Sequence, residues 1–339
     1  MERENLYGKT LTELQAVCTE LQLPRFVAKQ IADWLYKKGV RSFEEMTNLS
    51  KVARAKLSEQ FELGLRAPER ADESADGTKK YLYRTSEGEF VESAYIPDRE
   101  RATLCVSSQA GCKMGCKFCA TGRMGFRHHL SATEIINQIL SIPERDQLTN
   151  LVFMGMGEPL DNIDNLMRTL DILTSEWGMA WSPTRITVST AGVARTLPRL
   201  LDESKVHIAV SLHNPFPEER KEIMPIENSY SIKEVCDILR RYDFTHQRRV
   251  SFEYIVLEGM NCSFRHIKEL SRLLDGIKCR INLIRFHKMP DSPFFSPELE
   301  KIIEFRDTLT KRGIQTTLRA SRGEDIEAAC GLLSTAEKK

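Results

Sequence analysis

The sequence lacks the features of a secreted or membrane-bound chain. Its first ten residues, MERENLYGKT, are charged and contain no apolar core of a signal peptide, and no later stretch is apolar for long enough to cross a bilayer. No internal repeat or extended low-complexity tract interrupts the 339 residues. We therefore expect a cytoplasmic protein with no membrane association, built as one sizeable core with a smaller accessory unit.

The chain also lacks a net charge of either sign. Its 49 Lys and Arg residues against 48 Asp and Glu residues give a formal charge of +1, so a nucleic acid would have to be bound by local basic clusters. Two stretches contain no acid, residues 102–133 and 308–323. A charge run alone is as often a solvated face. The first stretch contains cysteines and the second lies just before one, so we interpret their basic residues as phosphate contacts. These residues are Lys113, Lys117, Arg123 and Arg127 in the first stretch and Lys311, Arg312, Arg319 and Arg322 in the second.

Periodicity divides the chain into three parts. Residues 1–65 are helical in pattern, with capping boxes beginning at Thr10 and Ser42 and helix breaks at Pro24 and Gly39. They predict a small all-helical accessory domain. Alternation in residues 66–100, on both sides of a Ser-Glu-Gly turn, predicts a β-hairpin linker.

Residues 101–335 contain six short apolar runs with helical segments between them, which predicts an α/β domain of parallel strands and crossover helices. An open doubly wound sheet and a partial barrel both fit, and in each the ligand site lies at the carboxyl ends of the strands. The runs are Thr103–Ser107, Leu151–Met154, Arg185–Ser189, His207–Ser211, Ser251–Leu257 and Arg280–Arg285.

Nine cysteines occur, and three of them have the spacing C-x3-C-x2-C: Cys112, Cys116 and Cys119. Three thiolates can hold three irons of a four-iron cluster and leave the fourth iron open to a small molecule. The alternative is structural zinc, but zinc favours four ligands in a closed site. Only His128 and His129 lie near enough in sequence to supply a fourth.

This motif is similar to the signature of radical S-adenosylmethionine (SAM) enzymes. The resemblance implies one [4Fe-4S] cluster whose open iron chelates SAM, and an electron that splits SAM to a 5′-deoxyadenosyl radical. The cofactor would supply the chemistry, and the protein would orient it.

Five further segments, in order along nearly the whole chain, resemble the RlmN/Cfr family of RNA adenine methyltransferases. They are RATLCVSSQAGCKMGCKFCATG, FMGMGEPLDN, ITVSTAG, VSLHNP and RASRGEDIEAACG. The resemblance implies a partial (βα)6 radical SAM barrel preceded by a helical amino-terminal domain that binds RNA. The barrel and the helical domain agree with the periodicity.

The same resemblance implies two catalytic cysteines outside the cluster, Cys105 and Cys330. One SAM would methylate Cys330, and a second would supply the radical that takes hydrogen from this methyl group, so that two SAM are used per turnover. The resulting carbon radical would add to adenine, and Cys105 would release the product by forming a transient disulfide with Cys330. Glu92 matches the proposed proton acceptor, and whether Glu92 or Cys105 removes the proton stays open.

The remaining positions matched to the family are SAM contacts. A glycine permits close backbone approach, and a carboxylate can accept from the SAM amino group. One departure occurs after the sixth strand, where FHKMP replaces the W-N-P segment common in the family. The expected contacts are Gly157, Glu158, Ser189, Ser211, Leu212, His213 and His287.

Within the family, Pro159 and the Arg322-Gly323 pair resemble the branch that methylates carbon 2 of adenine rather than the Cfr-like branch that methylates carbon 8. The implied substrates are 23S rRNA, at adenosine 2503, and tRNA, at adenosine 37. The implied partners are a flavodoxin- or ferredoxin-type electron donor and a thiol reductant, with a monomeric enzyme. Two alternatives stay open: a radical SAM enzyme acting on a protein or small metabolite, and a non-catalytic iron-sulfur or RNA-binding module.

Overall fold

A computed structural model describes residues 3–246, 248–289 and 291–334. Its α-helices are α1 Leu11–Glu20, α2 Val27–Ala32, α3 Lys51–Gln60, α4 Ala120–Met124, α5 Ala132–Leu140, α6 Ile163–Thr174, α7 Leu197–Glu203, α8 Pro217–Ile223, α9 Ile232–Leu239, α10 Phe264–Leu273 and α11 Leu299–Lys311. Its strands are β1 Glu4–Asn5, β2 Phe61–Glu62, β3 Arg70–Glu73, β4 Lys79–Arg84, β5 Phe90–Asp98, β6 Arg101–Cys105, β7 Gln109–Gly111, β8 Phe126–His129, β9 Asn150–Phe153, β10 Ile186–Thr190, β11 His207–Ser211, β12 Val250–Val256, β13 Cys279–Arg285 and β14 Gln315–Leu318.

The amino-terminal part is helical, as the capping signals predict. Thr10 caps α1: the Glu13 amide donates to its hydroxyl oxygen, and its own amide donates to the Glu13 carboxylate at 2.7 Å. A π-helical segment, Asp33–Lys38, continues α2 and ends at Gly39, whose φ of +66° suits a residue without a Cβ. β1 and β2 pair in parallel and close this part of the chain onto itself.

A ten-stranded sheet forms the centre of the molecule, in the order β14-β13-β12-β11-β10-β9-β6-β5-β4-β3. The seven strands from β6 to β14 in this order are parallel to their neighbours. Six of them are the predicted apolar runs, which are therefore confirmed. The seventh, β14, was not predicted, because its sequence QTTL alternates exposed and buried positions and contains no apolar run.

The predicted hairpin is present as β4 and β5, but it also continues the sheet. β5 pairs antiparallel with β6, with Ala94 opposite Cys105, and β3 adds an outer strand. The order is linear, and the two edge strands β3 and β14 do not pair within the described ranges, as a partial barrel requires. The boundaries at residues 65 and 100 stay predictions, and residue 335 lies outside the described residues.

Helices cover the outer face of the parallel strands, and the core between them is apolar. Leu104, Phe153, Val188, Ile208 and Phe252 are each at most 1% exposed. Buried positions alternate with half-buried ones along β9 and β10. None of the described helices is both long and apolar enough to cross a bilayer.

Candidate active site

Two adjoining cavities lie at the carboxyl ends of the parallel strands. The smaller, about 150 Å³, is lined by the three cysteines of the C-x3-C-x2-C motif, and we call it the cysteine cavity. The larger, about 310 Å³, is lined by Cys105, Arg101 and Arg322, and we call it the outer cavity. Both cavities include Cys119, Met154, Gly155, Ile284, Arg319, Cys330 and Gly331. The two cavities therefore share part of their walls, and a molecule in one can contact residues that also line the other.

The cysteine loop runs from the end of β7 to the start of α4. Gly122 lies where a Cβ would come within 2.8 Å of the Cys116 carbonyl oxygen, so only glycine lets α4 approach the loop this closely. The Met114 amide points at the Cys112 sulfur from 3.5 Å. The loop therefore holds three thiols around one cavity with backbone donors nearby.

The donor set fits an iron-sulfur cluster better than a single ion. Burial raises the pKa of Cys112 to about 12 and that of Cys116 well above its usual value, so thiolates would form here only with a metal bound. Within residues 3–246, 248–289 and 291–334, no three Cys, His, Asp or Glu side chains are grouped to hold one ion. His128 and His129, the two candidates near in sequence, line neither cavity, so neither is placed to act as a fourth zinc ligand.

Gly157 and Glu158 follow β9 and line the cysteine cavity. A Cβ on Gly157 would lie 2.5 Å from the Gln109 side chain, and its φ is +98°. Glu158 accepts from the Leu160 amide at 3.0 Å and from the Ala191 amide at 2.6 Å, while burial raises its pKa to about 7. The carboxylate is thus fixed at the cavity wall, where it could accept from a cationic amino group.

Three of the other predicted SAM contacts also line this cavity: Ser189, Ser211 and His213. His213 accepts from the Ile255 amide through Nδ1 at 2.9 Å, and burial lowers its pKa to about 3. The ring is therefore neutral, with its proton on Nε2 as a donor. Leu212 is different, because its side chain is fully buried and lines neither cavity.

Cys330 lies in the C-terminal segment, residues 319–334, which crosses the opening between the cavities. The Ala120 amide donates to the Gly331 carbonyl at 2.8 Å, and the Thr121 hydroxyl donates to the Leu333 carbonyl at 2.7 Å. These bonds attach the segment to α4, directly after the cysteine loop. Cys330 is exposed and lines both cavities, whereas Cys105 is buried and lines the outer one.

A second set of contacts attaches the same segment to the turn between β3 and β4. The Ser74 hydroxyl donates to Asp325 at 2.6 Å, and the Ala75 amide donates to the same carboxylate at 3.2 Å. The Gly323 amide donates to Asp76 at 3.0 Å. The antiparallel strands thus help to hold Cys330 over the cavities.

Two predicted residues lie away from their expected positions. Glu92 is 1% exposed and lines neither cavity, because its carboxylate pairs with Lys80 at 3.1 Å and accepts from the Ser334 amide at 2.9 Å. His287 lines the outer cavity rather than the cysteine cavity, and its Nε2 lies 3.2 Å from the Ser321 hydroxyl.

Glu253 and Arg319 were missed as site residues by sequence reasoning. Both line the cysteine cavity, and they pair with each other at 3.5 Å. Arg319 belongs to a basic stretch interpreted above as phosphate-binding, but it follows β14 and points inward. Glu253 had one usable signal, an acid inside the apolar strand SFEYIV.

Arg220 forms a support beneath the loops of the cysteine cavity. It is fully buried, pairs with Glu227, and donates to the carbonyl oxygens of Ala191, Ser211 and Leu212 at 2.8 to 2.9 Å. One guanidinium therefore fixes the loops after β10 and β11 relative to each other.

Two protein-family models match separate parts of the chain. A family model described as the Radical SAM superfamily matches residues 106–272, and one described as the ribosomal RNA large subunit methyltransferase N-terminal domain matches residues 4–63. The chain is 56% identical over its whole length to a probable dual-specificity RNA methyltransferase RlmN of Bacteroides fragilis, covering 98% of that protein. The chain belongs to the RlmN family of radical SAM RNA methyltransferases.

More distant relatives agree with this assignment. The dual-specificity RNA methyltransferase RlmN of Syntrophus aciditrophicus is 40% identical, with 98% of this chain and 97% of that one covered. The crystal structure of a radical SAM methyltransferase from Sphaerobacter thermophilus has a TM-score of 0.91 at 41% identity, with 97% of this chain and 99% of that one covered. Family membership implies a [4Fe-4S] cluster and the use of SAM, and it confirms the predicted radical SAM fold.

Proposed function

We propose that this protein is a cytoplasmic enzyme that methylates carbon 2 of an adenosine in RNA and uses Cys330 as the methyl carrier. The observation that carries this proposal is the position of Cys330 on the wall shared by the two cavities. From there one sulfur can meet SAM on one side and a nucleobase on the other. In this proposal Cys112, Cys116 and Cys119 hold the cluster, which supplies the electron that cleaves SAM.

Cys330 acts first as a nucleophile. Its sulfur attacks the methyl carbon of SAM, the bond from that carbon to the SAM sulfonium breaks, and S-adenosylhomocysteine leaves. With the electron from the cluster, a second SAM would supply the 5′-deoxyadenosyl radical that removes one hydrogen atom from the methyl group on Cys330, leaving methionine and 5′-deoxyadenosine. Two SAM are consumed per turnover. The carbon-centred radical adds to adenine carbon 2, which is electrophilic and disfavours transfer of a methyl cation.

Release of the product requires loss of the carbon 2 proton and of one electron, which the cluster oxidised during SAM cleavage would take back, followed by attack of Cys105 on the Cys330 sulfur. Cys105 lines the outer cavity, so it can approach an adduct held there. Glu92 is covered by Ser334 and reaches the cavity only if the C-terminal segment moves. The geometry thus supports Cys105 as the resolving thiol and makes Glu92 a proton acceptor only in a shifted conformation. A cellular thiol reductant would reopen the disulfide.

The outer cavity has the size and charge for a nucleotide. Its 310 Å³ is within the range of small-molecule sites, and Arg101, Arg285 and Arg322 lie on its wall, where phosphates of an unstacked nucleotide could bind. Pro159 and Arg322 favour the carbon 2 branch. We propose adenosine 2503 of 23S rRNA and adenosine 37 of tRNA as substrates of a monomeric enzyme that takes electrons from a flavodoxin- or ferredoxin-type donor.

The test is nucleoside mass spectrometry of RNA incubated anaerobically with the holoenzyme, SAM and a reductant. We expect 2-methyladenosine from wild type and none from Cys330→Ala. The 8-methyl isomer would replace the carbon 2 proposal with Cfr-like chemistry. SAM cleavage without RNA methylation would indicate a protein or metabolite substrate, and absence of SAM cleavage would indicate a non-catalytic module.

A further inference from the structure

Arg319 is a basic side chain within hydrogen-bond distance of the sulfur of the proposed methyl carrier. It follows β14 and lines both cavities. Its Nη1 lies 3.8 Å from the Cys330 sulfur and 3.5 Å from the Met154 sulfur. A guanidinium at this distance can donate to a sulfur that carries negative charge.

The position of Arg319 is fixed from behind by Glu253. The Arg319 Nε lies 3.5 Å from the Glu253 Oε2, and this oxygen finds no hydrogen-bond donor among the described residues. The other oxygen accepts from the Asn282 amide at 2.7 Å, and Asn282 in turn accepts from the Thr317 hydroxyl at 2.8 Å. Three adjacent parallel strands, β12, β13 and β14, thus hold the carboxylate that aims the guanidinium.

This arrangement differs from that of an arginine that binds phosphate. The Glu253 side chain is only 4% exposed, so its charge needs a cation, and Arg319, which is half-buried, pairs with it. Arg312, seven residues earlier, shows the contrasting case, because it lies on the surface with its guanidinium over the Phe264 ring.

We propose that Arg319, held by Glu253, is a positioning residue that keeps the Cys330 sulfur between the two cavities and stabilises its anionic form for attack on SAM. In that step the bond from sulfur to the methyl carbon forms and the bond from the SAM sulfonium to this carbon breaks. The electron pair stays on S-adenosylhomocysteine, and the thiol proton goes to solvent. Arginine suits this role because its planar fork can meet the carboxylate with one edge and the sulfur with another. The inference rests on the proposed methyl transfer to Cys330.

The first test is the alkylation rate of Cys330 by iodoacetamide, followed by peptide mass spectrometry on the unmethylated fraction of the folded holoenzyme. In Arg319→Met we expect this rate to fall about tenfold, the size of one charge-assisted hydrogen bond. The alkylation rate of Arg319→Lys should lie between those of wild type and Arg319→Met, because a lysine keeps the charge but loses the planar fork of donors. Arg272→Met, at an exposed arginine of α10 that pairs with Glu269, is the matched control and should react like wild type. Equal rates in Arg319→Met and wild type would overturn the inference.

The second test is transfer of a deuterated methyl group from SAM to Cys330, measured without reductant so that no radical forms. At saturating SAM, Arg319→Met should lower the maximal rate about tenfold and leave the half-saturating SAM concentration nearly unchanged. A shift in the SAM concentration dependence alone would make Arg319 a SAM-binding residue and contradict the inference. If Cys330 of the wild type receives no methyl group from SAM, the proposed function is wrong. If Cys330 alkylation nevertheless slows in Arg319→Met, the inference that Arg319 activates the sulfur is still supported.

Discussion

Replacing Lys80 by Met is predicted to destabilise the protein strongly, because it leaves a carboxylate buried without its cation. The Lys80 and Glu92 side chains are 6% and 1% exposed, and their charged atoms are 3.1 Å apart. Removing one partner of a buried pair costs about 3–5 kcal/mol. At about 2 °C per kcal/mol for a chain of this size, Lys80→Met should lower the melting temperature by about 6–10 °C.

The penalty should depend on pH with a definite sign. Burial already raises the pKa of Glu92, and Lys80 opposes that rise. Without Lys80, the folded protein should bind the Glu92 proton more tightly than the unfolded chain does. The destabilisation is then largest above the folded pKa and is relieved as pH falls through it. Melting curves by scanning fluorimetry should show a larger deficit at pH 8 than at pH 5.

Two controls sharpen this measurement. Lys51→Met removes an exposed lysine from the start of α3 and should change the melting temperature little. The double variant Lys80→Met with Glu92→Gln should recover much of the loss, because no charge is then left buried. A double variant as unstable as Lys80→Met, or a deficit independent of pH, would refute the reasoning.

Three further changes have expected outcomes. Cys105→Ala should stop the reaction after adduct formation, so that denaturing gels show RNA covalently attached to protein, and free product at the wild-type rate would contradict this role. Arg220→Met should lower unfolding stability by about 3–5 kcal/mol, because it leaves Glu227 buried and unpaired, and Glu227→Gln in the same chain should restore part of it in thermal melts. Ser74→Ala removes the hydroxyl that holds Asp325, so hydrogen exchange in the C-terminal segment should accelerate about fivefold, for a bond worth ~1 kcal/mol; unchanged exchange would show that this bond does not hold the segment.

The sequence predicts six of the parallel strands because each contains apolar residues that are buried in the structure, as in β12, where six of seven positions are buried. β14 escapes prediction because it is short and half-exposed at the edge of the sheet. Because β14 was not predicted, Arg319 was assigned to a phosphate-binding basic stretch. Without β14, a basic stretch looks like a surface cluster, whereas the strand turns this one side chain into the cavity.

The contacts of the C-terminal segment depend on tertiary structure that local patterns do not encode. Alternation places Glu92 on one face of β5, but nothing near it in sequence shows that Ser334 covers this face. Leu212 shows the same limit, because a residue beside Ser211 and His213 can still point into the core.

The isotopic composition of the transferred methyl group tests the central claim, transfer through Cys330, most directly. With SAM that carries a trideuterated methyl group, removal of one deuterium at Cys330 leaves two on the carbon that joins adenine, and solvent supplies the last hydrogen. Transfer through Cys330 should give a dideuterated methyl group on the RNA base and one deuterium in 5′-deoxyadenosine. A fully deuterated methyl group on the base would show direct transfer from SAM and contradict it.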